Sequence, residues 1–502
     1  MNPTGSDAAY APAPVGIEEE EQFIDDDNNS QSNLPLHALV SPRQRRPSLA
    51  NFLLASSLFS VNHGCVTACL NLATARLGDV GAKQSSVLYI SYASSALLGS
   101  TWIVKRLGGR NGLALGLGIY CVYVGAFVAA TLLLDHPNFA EVVALSGAAV
   151  GGLGGGILWT AQGSFFARSA EIHADTSTMP LTDATADLGS YFAAIYLLGE
   201  VALNMLSSLL VEEFELSWLK VFTIYFAIAA ATACGMVLVY EHPPTSQVTR
   251  PSDIDAPNKA TAAWRLLKND PKMICLLPFN FAFGFAASFR GSFVSREVVR
   301  IALDDNNSVY IGVLSSVTAI VAAMMSLCFG RIAHKVGKGT ILVIGAFSFF
   351  MVAAPFTVKP EISQWGWVGV CSVYILQGIG RSTFEGTLKA EFADFFAYEK
   401  EGAFACIVLM SGVSSALGYY LSINLSCSLP SKYCIEYEDG TLHNVLAFEL
   451  LVMSTALFAI LGYWRASVLF QQENEMGGAT MMTGTEEEEL PFANSSHREE
   501  VS

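Results

Sequence analysis

Long apolar runs with almost no charge recur from residue 49 to residue 470, and they decide what this chain can fold into. An apolar helix of roughly 20 residues is long enough to cross a bilayer. The sequence contains twelve such runs, six on each side of a polar stretch. They predict an all-α polytopic membrane protein with 12 transmembrane helices arranged as two six-helix halves.

The polar segments between the runs divide the chain into five parts. The parts are a disordered cytoplasmic tail (1–47), a first six-helix half (48–240), a cytoplasmic linker (241–272), a second six-helix half (273–470) and a disordered acidic cytoplasmic tail (471–502). The predicted spans lie near residues 49–75, 86–104, 112–134, 142–165, 186–210, 218–240, 273–294, 309–329, 340–358, 365–385, 402–426 and 445–470.

Composition supports this class of protein and excludes others. Only 14% of the residues are charged, whereas about 25% are charged in soluble proteins. The net charge of −16 would repel the phosphates of a nucleic acid. Much of the negative charge lies in the two tails, which contain few apolar residues and are therefore predicted to be disordered.

The distribution of Lys and Arg predicts the orientation. With both termini in the cytoplasm, the inner side holds 20 of the 28 Lys and Arg residues and the outer side holds 8. Cytoplasmic loops of membrane proteins carry an excess of these residues. We therefore expect a multi-pass membrane protein with both termini cytoplasmic.

Three candidate modification sites follow from this topology. Cys427 and Cys434 lie seven positions apart in the last outer loop, where an oxidising environment would allow a disulfide bond. Asn306 begins a glycosylation sequon in another outer loop. On the inner side, Ser48 follows Arg-Arg-Pro and is a candidate for phosphorylation.

Short motifs recur at equivalent places in the two halves, which indicates an internal duplication. The loops after the second and eighth spans are both basic turns with a glycine three residues after the first basic or His position. The ends of the fourth and tenth spans read TAQGSF and TFEGTL. The loop and gate candidates are Lys105, Arg106, Gly108, Arg110, Gln162 and Gly163 in the first half, and Gly330, His334, Lys335, Gly337, Glu385 and Gly386 in the second.

These basic turns resemble the G-x-x-x-D-R-x-G-R-R loop of the major facilitator superfamily, although Lys105 and His334 replace its acidic residue. Within that superfamily the chain looks like an Unc-93-like member. The segments that carry this resemblance are residues 71–78, 88–92 and 154–163 (GGGILWTAQG) and the LPFNFAFG segment that contains Asn280. The resemblance implies two halves around a central cavity, and either transport or the regulation or escort of other membrane proteins.

Ionisable groups in the middle of a membrane are costly unless they are paired or hydrated, so those within the spans are candidate functional residues. His63 lies about 21 Å into the first span at a rise of about 1.5 Å per residue. Spacings of three and four place a polar stripe on one face of that span. The stripe consists of Ser56, Ser60, His63, Thr67 and Asn71, and Asn62 is a further candidate.

The fifth span has the same arrangement, with Tyr196, Glu200 and Asn204 at intervals of four. In the superfamily fold the first and fifth spans lie near each other around the central cavity, so Glu200 could pair with His63. One interpretation is a proton- or cation-coupling site with Glu200 as the carrier and His63 as its partner. The other is an interhelical hydrogen bond without a transport role, and both remain open at this stage.

Two further sets of charges lie in the second half. Arg381, Glu385 and Lys389 form a ladder of alternating charge near the cytoplasmic end of the tenth span. An ion-pair network that holds the inner gate is favoured there over a ligand site. Arg290, toward the outer end of the seventh span, either attracts an anionic substrate or extends to the lipid headgroups, and the second interpretation is slightly favoured.

These observations predict a secondary transporter that moves small solutes or ions by alternating access, with proton or cation coupling as an option. The alternative is a non-transporting Unc-93-like protein that regulates an ion channel or escorts other membrane proteins. The predicted partners are the lipid bilayer, a small solute or ion and, in the alternative, another membrane protein. No enzyme activity, cofactor, metal site or nucleic-acid partner is predicted, since the sequence shows no catalytic or metal-ligand pattern.

Overall fold

The computed structural model describes residues 48–241, 259–425, 434–436 and 442–484. The N-terminal tail, most of the central linker, the outer-loop residue Cys427 and the last 18 positions of the chain, 485–502, lie outside the described residues. Almost all of the described backbone is helical, in agreement with the predicted class.

The first half is built from six helices. They are α1 (Ser48–Leu98), α2 (Ser100–Leu107), α3 (Gly109–Leu132), α4 (Pro137–Ser177), α5 (Leu181–Glu212) and α6 (Trp218–Gly235), and a 3₁₀ turn (Met236–Leu238) extends α6.

The second half contains shorter elements, and two of its helices continue as π-helices. The elements are α7 (Lys259–Asn269), α8 (Pro271–Phe289), a π-helix (Arg290–Val298), α9 (Val299–Leu303), α10 (Tyr310–Val336), α11 (Lys338–Val358), a 3₁₀ turn (Ile362–Gln364), α12 (Gly366–Ser382), a second π-helix (Thr383–Leu388), α13 (Lys389–Phe395), α14 (Lys400–Asn424), the antiparallel strands β1 (Cys434–Glu436) and β2 (Leu442–Asn444), and α15 (Val445–Gly484).

Ten helices in the described part of the chain are long and apolar enough to cross a membrane. One of them, α1, has 51 residues, or about 77 Å of helix, and contains the first predicted span and most of the second, which continues into α2. Gly78 interrupts it with φ 56° and ψ −130°. The tenth predicted span falls on α12, which has 17 residues before its π-helix begins.

Two elements differ from the sequence prediction. The linker contains the helix α7, and α15 continues to Gly484 instead of ending near residue 470. Residues 471–476 read QQENEM, and Gln, Glu and Met are good helix formers that extend a helix even where the apolar pattern has stopped. The helix therefore continues into the segment that the sequence predicts as the C-terminal tail.

Helix starts follow from local sequence. Pro137 and Pro271 each occupy the first turn of a long helix, where a missing N–H costs nothing. Asp270 caps α8, because its side chain accepts a hydrogen bond from the backbone N–H of Lys272 at 2.8 Å.

Helices of the two halves meet along two seams. In one, α1 packs on α14, where a Cβ atom at Gly412 would lie 2.8 Å from that of Ala93. In the other, α5 packs on α10, where a Cβ atom at Gly312 would collide with the carbonyl oxygen of Asn204. Small residues allow this close approach of helix backbones in membranes.

The two basic turns predicted to be equivalent have the same backbone conformation. Gly108 has φ 83° and ψ 169°, and Gly337 has φ 83° and ψ 147°. Each N–H binds the carbonyl four residues earlier, that of Val104 and that of Ala333 respectively. A positive φ of this size favours glycine.

We call the helix ends near Gly78 and Glu212 the outer end, after the predicted orientation, and the opposite ends the inner end. Contacts join the two halves at the outer end. Arg296 Nη1 binds Asp79 Oδ1 at 2.6 Å, and Trp218 Nε1 donates to the carbonyl of Asn307 at 2.7 Å. The halves are therefore tied together on this side.

Candidate functional site

An ion pair joins the two halves in the interior of the bundle. Glu200 on α5 binds Arg381 on α12 through both carboxylate oxygens, with Nη1–Oε1 at 2.7 Å and Nη2–Oε2 at 2.9 Å. The exposed fraction is 4% for the Glu200 side chain and 16% for that of Arg381. A bidentate pair of this kind is among the stronger polar contacts in proteins, especially where water is largely excluded.

The position of this pair along the helices predicts its depth in the membrane, if the outer helix ends mark the outer membrane surface. Glu200 lies twelve residues before Glu212 at the outer end of α5, which is about 18 Å of helix. Arg381 lies fifteen residues after Gly366 at the outer end of α12, or about 22 Å. The hydrocarbon core is about 30 Å thick, so we expect both charges to lie inside it.

The carboxylate partner differs from the one considered from the sequence. Glu200 binds Arg381, and the hydrogen bond of the His63 ring is with Thr67, whose Oγ1 lies 3.1 Å from Nδ1. A permanently charged guanidinium with a planar fork matches a buried carboxylate better than an imidazole does.

The predicted charge ladder is only half formed. Arg381 Nε donates to Glu385 Oε1 at 2.9 Å, but Lys389 is exposed and forms no ion pair among the described residues. The prediction assumed α-helical spacing, whereas residues 383–388 form a π-helix with more residues per turn. Lys389 is therefore rotated away from the helix face that carries Arg381. Arg381 itself takes part in the contact between the two halves.

His63 lies in an aromatic cluster of the first half. Its ring centroid is 5.3 Å from that of Tyr196, 5.4 Å from Trp159 and 5.9 Å from Tyr120. The whole aromatic cluster consists of Phe59, His63, Tyr120, Trp159, Phe192 and Tyr196. Such flat, amphipathic rings can contact apolar and polar parts of a solute. Apart from His63 and Tyr196, the sequence analysis did not select these residues, since single aromatic residues in a span give no distinct signal.

The predicted polar stripes on α1 and α5 do meet. Asn71 Nδ2 donates to Asn204 Oδ1 at 3.0 Å, and Asn204 Nδ2 donates to the carbonyl of Glu200 at 2.8 Å. Asn62 points elsewhere, since its Nδ2 donates to the carbonyl of Ala229 on α6 at 2.8 Å. Asn62 thus joins helices within the first half, whereas Asn71 and Asn204 belong to the stripes.

In the second half, Asn280 is fully buried on α8, and Ser414 Oγ donates to its backbone carbonyl at 3.3 Å. Its side-chain amide has no hydrogen-bond partner among the described residues. Arg290, ten residues further along the chain, is partly buried between the halves and binds Asn71 through Nη2 at 3.2 Å. The interpretation that Arg290 extends to the headgroups is therefore wrong, because a partner in the interior holds it.

The loop candidates of the first half have structural contacts. The Arg110 side chain donates to the carbonyls of Met236 and Val237, and Arg106 lies over the ring of Trp102. Lys105 is exposed, one turn before Gly108.

The acid missing from the first basic turn is supplied from another element. Glu241 accepts hydrogen bonds from the backbone N–H groups of Arg110 and Asn111 at 3.3 and 3.2 Å. A carboxylate at the start of α3 also complements the helix dipole. Sequence comparison of the loops alone does not find Glu241, because it lies 131 residues beyond Arg110.

The remaining gate candidates lie near open space at the inner end. A Cβ atom at Gly163, Gly330 or Gly386 would meet no atom within 4 Å. Gln162 is partly buried, and Lys335 is exposed. The side chain of His334 lies outside the part that the structure describes.

The modification candidates remain predictions. Cys427 lies outside the described residues, and Cys434 begins β1. Asn306 is exposed in an outer loop and donates from Nδ2 to Asp304 Oδ1 at 3.2 Å. Ser48 begins α1, but its side chain is not described.

A charged contact at the outer end was not predicted from the sequence. Arg296 binds both Asp79 and Glu297, and Glu297 also binds Arg300. The Arg296 side chain is 7% exposed and that of Glu297 is 0% exposed. Opposite charges in the segments that follow the first and seventh predicted spans were the available signal.

The site thus offers polar and aromatic binding groups and a buried pair of opposite charges. In the described residues, no group of three or more His, Cys, Asp or Glu side chains is placed to hold a metal ion. The arrangement is suited to binding a solute. It is also suited to a change of net charge at the contact between the two halves.

Comparison with known proteins identifies the family. The model of the Major Facilitator Superfamily matches residues 77–419. The chain is 22% identical to UNC93-like protein 3 of Arabidopsis thaliana over 401 residues, which cover 78% of this chain and 84% of that protein.

Solved structures of similar fold are transporters. A crystal structure of the nucleoside transporter NupG (D323A mutant) has a TM-score of 0.61 at 16% identity, and the match covers 84% of this chain and 100% of that one. A D-xylose-proton symporter has a TM-score of 0.59 at 14% identity, covering 83% and 97%. The chain belongs to the major facilitator superfamily, and within it the chain resembles the Unc-93-like proteins.

Proposed function

We propose that this protein is a secondary transporter of small solutes, in which two six-helix halves with twelve spans alternate around the pair formed by Glu200 and Arg381. The observation that carries this proposal is the buried bidentate contact between α5 and α12, which links the halves near the membrane centre. In alternating access, the halves move against each other about a site at this depth.

The contacts at the outer end define the state from which the cycle starts. Asp79–Arg296 and Trp218–Asn307 both join the halves there. Opening toward the outside has to break these contacts, so they act as an outer gate. In the proposed cycle the inner end is open while these contacts hold, and it closes when the outer gate is broken.

Protonation of Glu200 supplies the coupling step. A proton on this carboxylate removes its charge, so the attraction to Arg381 is lost while Glu385 keeps its contact with the same guanidinium. Removing one charge of a buried pair costs about 3–5 kcal/mol of interaction. That loss is large enough to shift the balance between two arrangements of the halves.

A second function is favoured by the similarity to the UNC93-like protein of Arabidopsis thaliana. In this alternative the fold is kept as a partner for an ion channel or another membrane protein, and the buried pair only stabilises the contact between the halves. The two solved neighbours are named as a nucleoside transporter and a D-xylose-proton symporter, and they favour transport of a small solute.

Uptake in proteoliposomes separates the two functions. The purified full chain is reconstituted and tested with labelled sugars, nucleosides, amino acids and organic anions, with and without an inward proton gradient. We expect at least one class to accumulate above the level of protein-free vesicles and to respond to the gradient. The partner function would be favoured by two results together. The folded protein shows no uptake, and another membrane protein is recovered with it from cells in an amount equal to its own.

The predicted topology is tested separately. We expect both termini to be cytoplasmic, so that proteases added outside intact cells leave tags at either end uncut. Cleavage of either tag from outside would refute the topology. The phosphorylation of Ser48 is a separate prediction, and mass spectrometry of protein from cells would detect the phosphate.

The outer loops carry two further tests. Cys427 and Cys434 are proposed to be linked, so an impermeant maleimide should label them only after reduction. Asn306→Gln should remove a mobility shift caused by glycosidase treatment if the sequon is used. Labelling of both cysteines without reductant contradicts the disulfide.

A further inference from the structure

Arg290 has hydrogen-bond donors that the protein does not use. It begins the π-helix Arg290–Val298, and its Nη2 donates to Asn71 Oδ1. Its Nε and Nη1 atoms are buried and have no acceptor among the described residues. Within that same part of the chain Arg290 forms no ion pair, although a buried charge is expensive without one.

No carboxylate among the described residues lies close enough to form an ion pair with Arg290. The carboxylate of Glu200 is engaged by Arg381 through both oxygens, and Glu385 binds Arg381 as well. The guanidinium carbon of Arg290 instead lies 5.5 Å from the ring centroid of Tyr374. A cation over a tyrosine ring gains some attraction, and the Tyr374 hydroxyl lies 2.9 Å from Ser295 Oγ.

Tyrosines from both halves lie near Arg290. The rings of Tyr89 on α1 and Tyr419 on α14 stack at 6.0 Å, and both hydroxyls lie within electrostatic reach of Arg290. A Cβ atom at Gly291 would collide with the Tyr419 hydroxyl. We call Asn71, Tyr89, Arg290, Tyr374 and Tyr419 the Arg290 site.

The Arg290 site lies between the buried pair and the outer gate. Tyr374 is eight residues from the outer end of α12, or about 12 Å of helix, whereas Arg381 is about 22 Å from that end. A solute that contacts both Arg290 and the aromatic cluster would therefore lie along the boundary of the two halves.

We propose that the Arg290 site binds the oxyanion group of the transported solute, a carboxylate or a phosphate. Guanidinium N–H and tyrosine O–H groups are suitable donors for such an anion, and no carboxylate in the described residues forms an ion pair with Arg290. The inference rests on the proposed transport function and names its substrate class.

Charge balance connects the Arg290 site with Glu200. A singly charged anion neutralises Arg290, and one proton neutralises Glu200, so such an anion and a proton together add no net charge to the buried region. Hydrogen bonds also link the two positions, from Arg290 to Asn71, from Asn71 to Asn204 and from Asn204 to the carbonyl of Glu200. Movement of Arg290 on binding is thereby transmitted to α5.

Binding of simple anions to the purified full chain tests this proposal without transport. The probes are sodium acetate, sodium succinate and sodium phosphate, each compared with sodium chloride at equal ionic strength, by thermal unfolding and by calorimetric titration. We expect at least one probe to raise the unfolding midpoint of the wild type above the chloride value. A response to acetate or succinate identifies a carboxylate, and a response to phosphate alone identifies a phosphate.

Variants assign that binding to the site. Arg290→Gln is expected to raise the Kd of the anion at least tenfold, and Arg290→Lys is expected to raise it less. Arg331→Gln, in an exposed position at the inner end, is the matched control and should bind as the wild type does. If Arg290→Gln does not fold, Tyr374→Phe is the variant to test. It keeps the ring and removes the hydroxyl, and it should raise the Kd of the anion about threefold.

Two results would overturn the proposal. One is a wild type that responds to none of the three probes beyond chloride, and the other is wild-type affinity in Arg290→Gln or, where that variant fails to fold, in Tyr374→Phe. Binding that depends on Arg290 without any uptake would leave the anion site intact and refute transport. Proton-coupled uptake without such binding would refute only the anion site.

Discussion

The two halves share a duplicated plan but deliver their charged groups differently. In the first half, α-helical segments carry the polar groups at spacings of three or four within each helix. His63 lies on α1, and Glu200 and Asn204 lie on α5. In the second half, Arg290 begins a π-helix, and Arg381 lies two residues before another. The first half supplies an acid, amides and aromatic rings, and the second supplies the two interior cations.

The difference shows how one duplicated unit acquires complementary halves. The helix α4 runs unbroken from Pro137 to Ser177, while its counterpart is divided into α12, a π-helix and α13. A π-helix inserts an extra residue per turn and changes the direction of the side chains that follow, and such segments are frequent at functional sites. Here the change separates Lys389 from the face of Arg381.

The largest expected effect comes from breaking the link between these unlike halves. Arg381→Gln leaves the Glu200 carboxylate buried without its partner, and we expect a loss of about 3–5 kcal/mol in the free energy of unfolding. Thermal unfolding of the purified variant measures this loss.

A double variant shows whether the loss belongs to the pair. Glu200→Gln combined with Arg381→Gln should be more stable than the sum of the two single losses predicts, because no uncompensated charge remains. Additive losses would mean that the two side chains do not depend on each other. Arg331→Gln provides the control for removal of an exposed arginine.

A smaller effect is expected at the kink that separates the first two predicted spans. Gly78 has a positive φ of 56°, and an added Cβ would lie 3.3 Å from Arg296 Nη2. Gly78→Ala should destabilise the protein by about 1–3 kcal/mol, since an L-residue is strained in this conformation. Gly99→Ala, where a Cβ would meet nothing within 4 Å, should change unfolding far less. Equal midpoints for the two variants would contradict this account of the kink.

The smallest effects compare two equivalent acids at the inner ends. Glu473, on α15, binds Lys272, whose side chain is 1% exposed. Glu241, after α6, binds exposed backbone N–H groups of α3. We expect Glu473→Ala to cost about 1.5 kcal/mol and Glu241→Ala less than about 1 kcal/mol. Chemical denaturation ranks them, and a larger loss for Glu241→Ala would reverse the comparison.

Helical periodicity was sufficient to predict part of the site. It selected Asn71 and Asn204 on the stripes of α1 and α5, and these side chains bind each other. The paired glycines 108 and 337 also proved to have one backbone conformation. These features depend on spacing within regular elements, which a sequence displays directly.

The charged contacts needed information that spacing does not contain. Glu200 and Arg381 are 181 residues apart, and the direction of Arg381 depends on how α12 packs. The π-helix at residues 383–388 has no compositional mark that separates it from an α-helix. Arg290 could reach either the headgroups or the interior, and only packing against Asn71 and Tyr374 decides between them.

The central claim is that Glu200 carries the coupling proton, and uptake as a function of pH tests it most directly. Glu200→Gln keeps the shape of the side chain but cannot ionise, so uptake by the reconstituted variant should no longer respond to a proton gradient. Glu212→Gln, on the outer end of the same helix, should retain the wild-type response. A Glu200→Gln variant whose uptake keeps the wild-type pH dependence would contradict the claim.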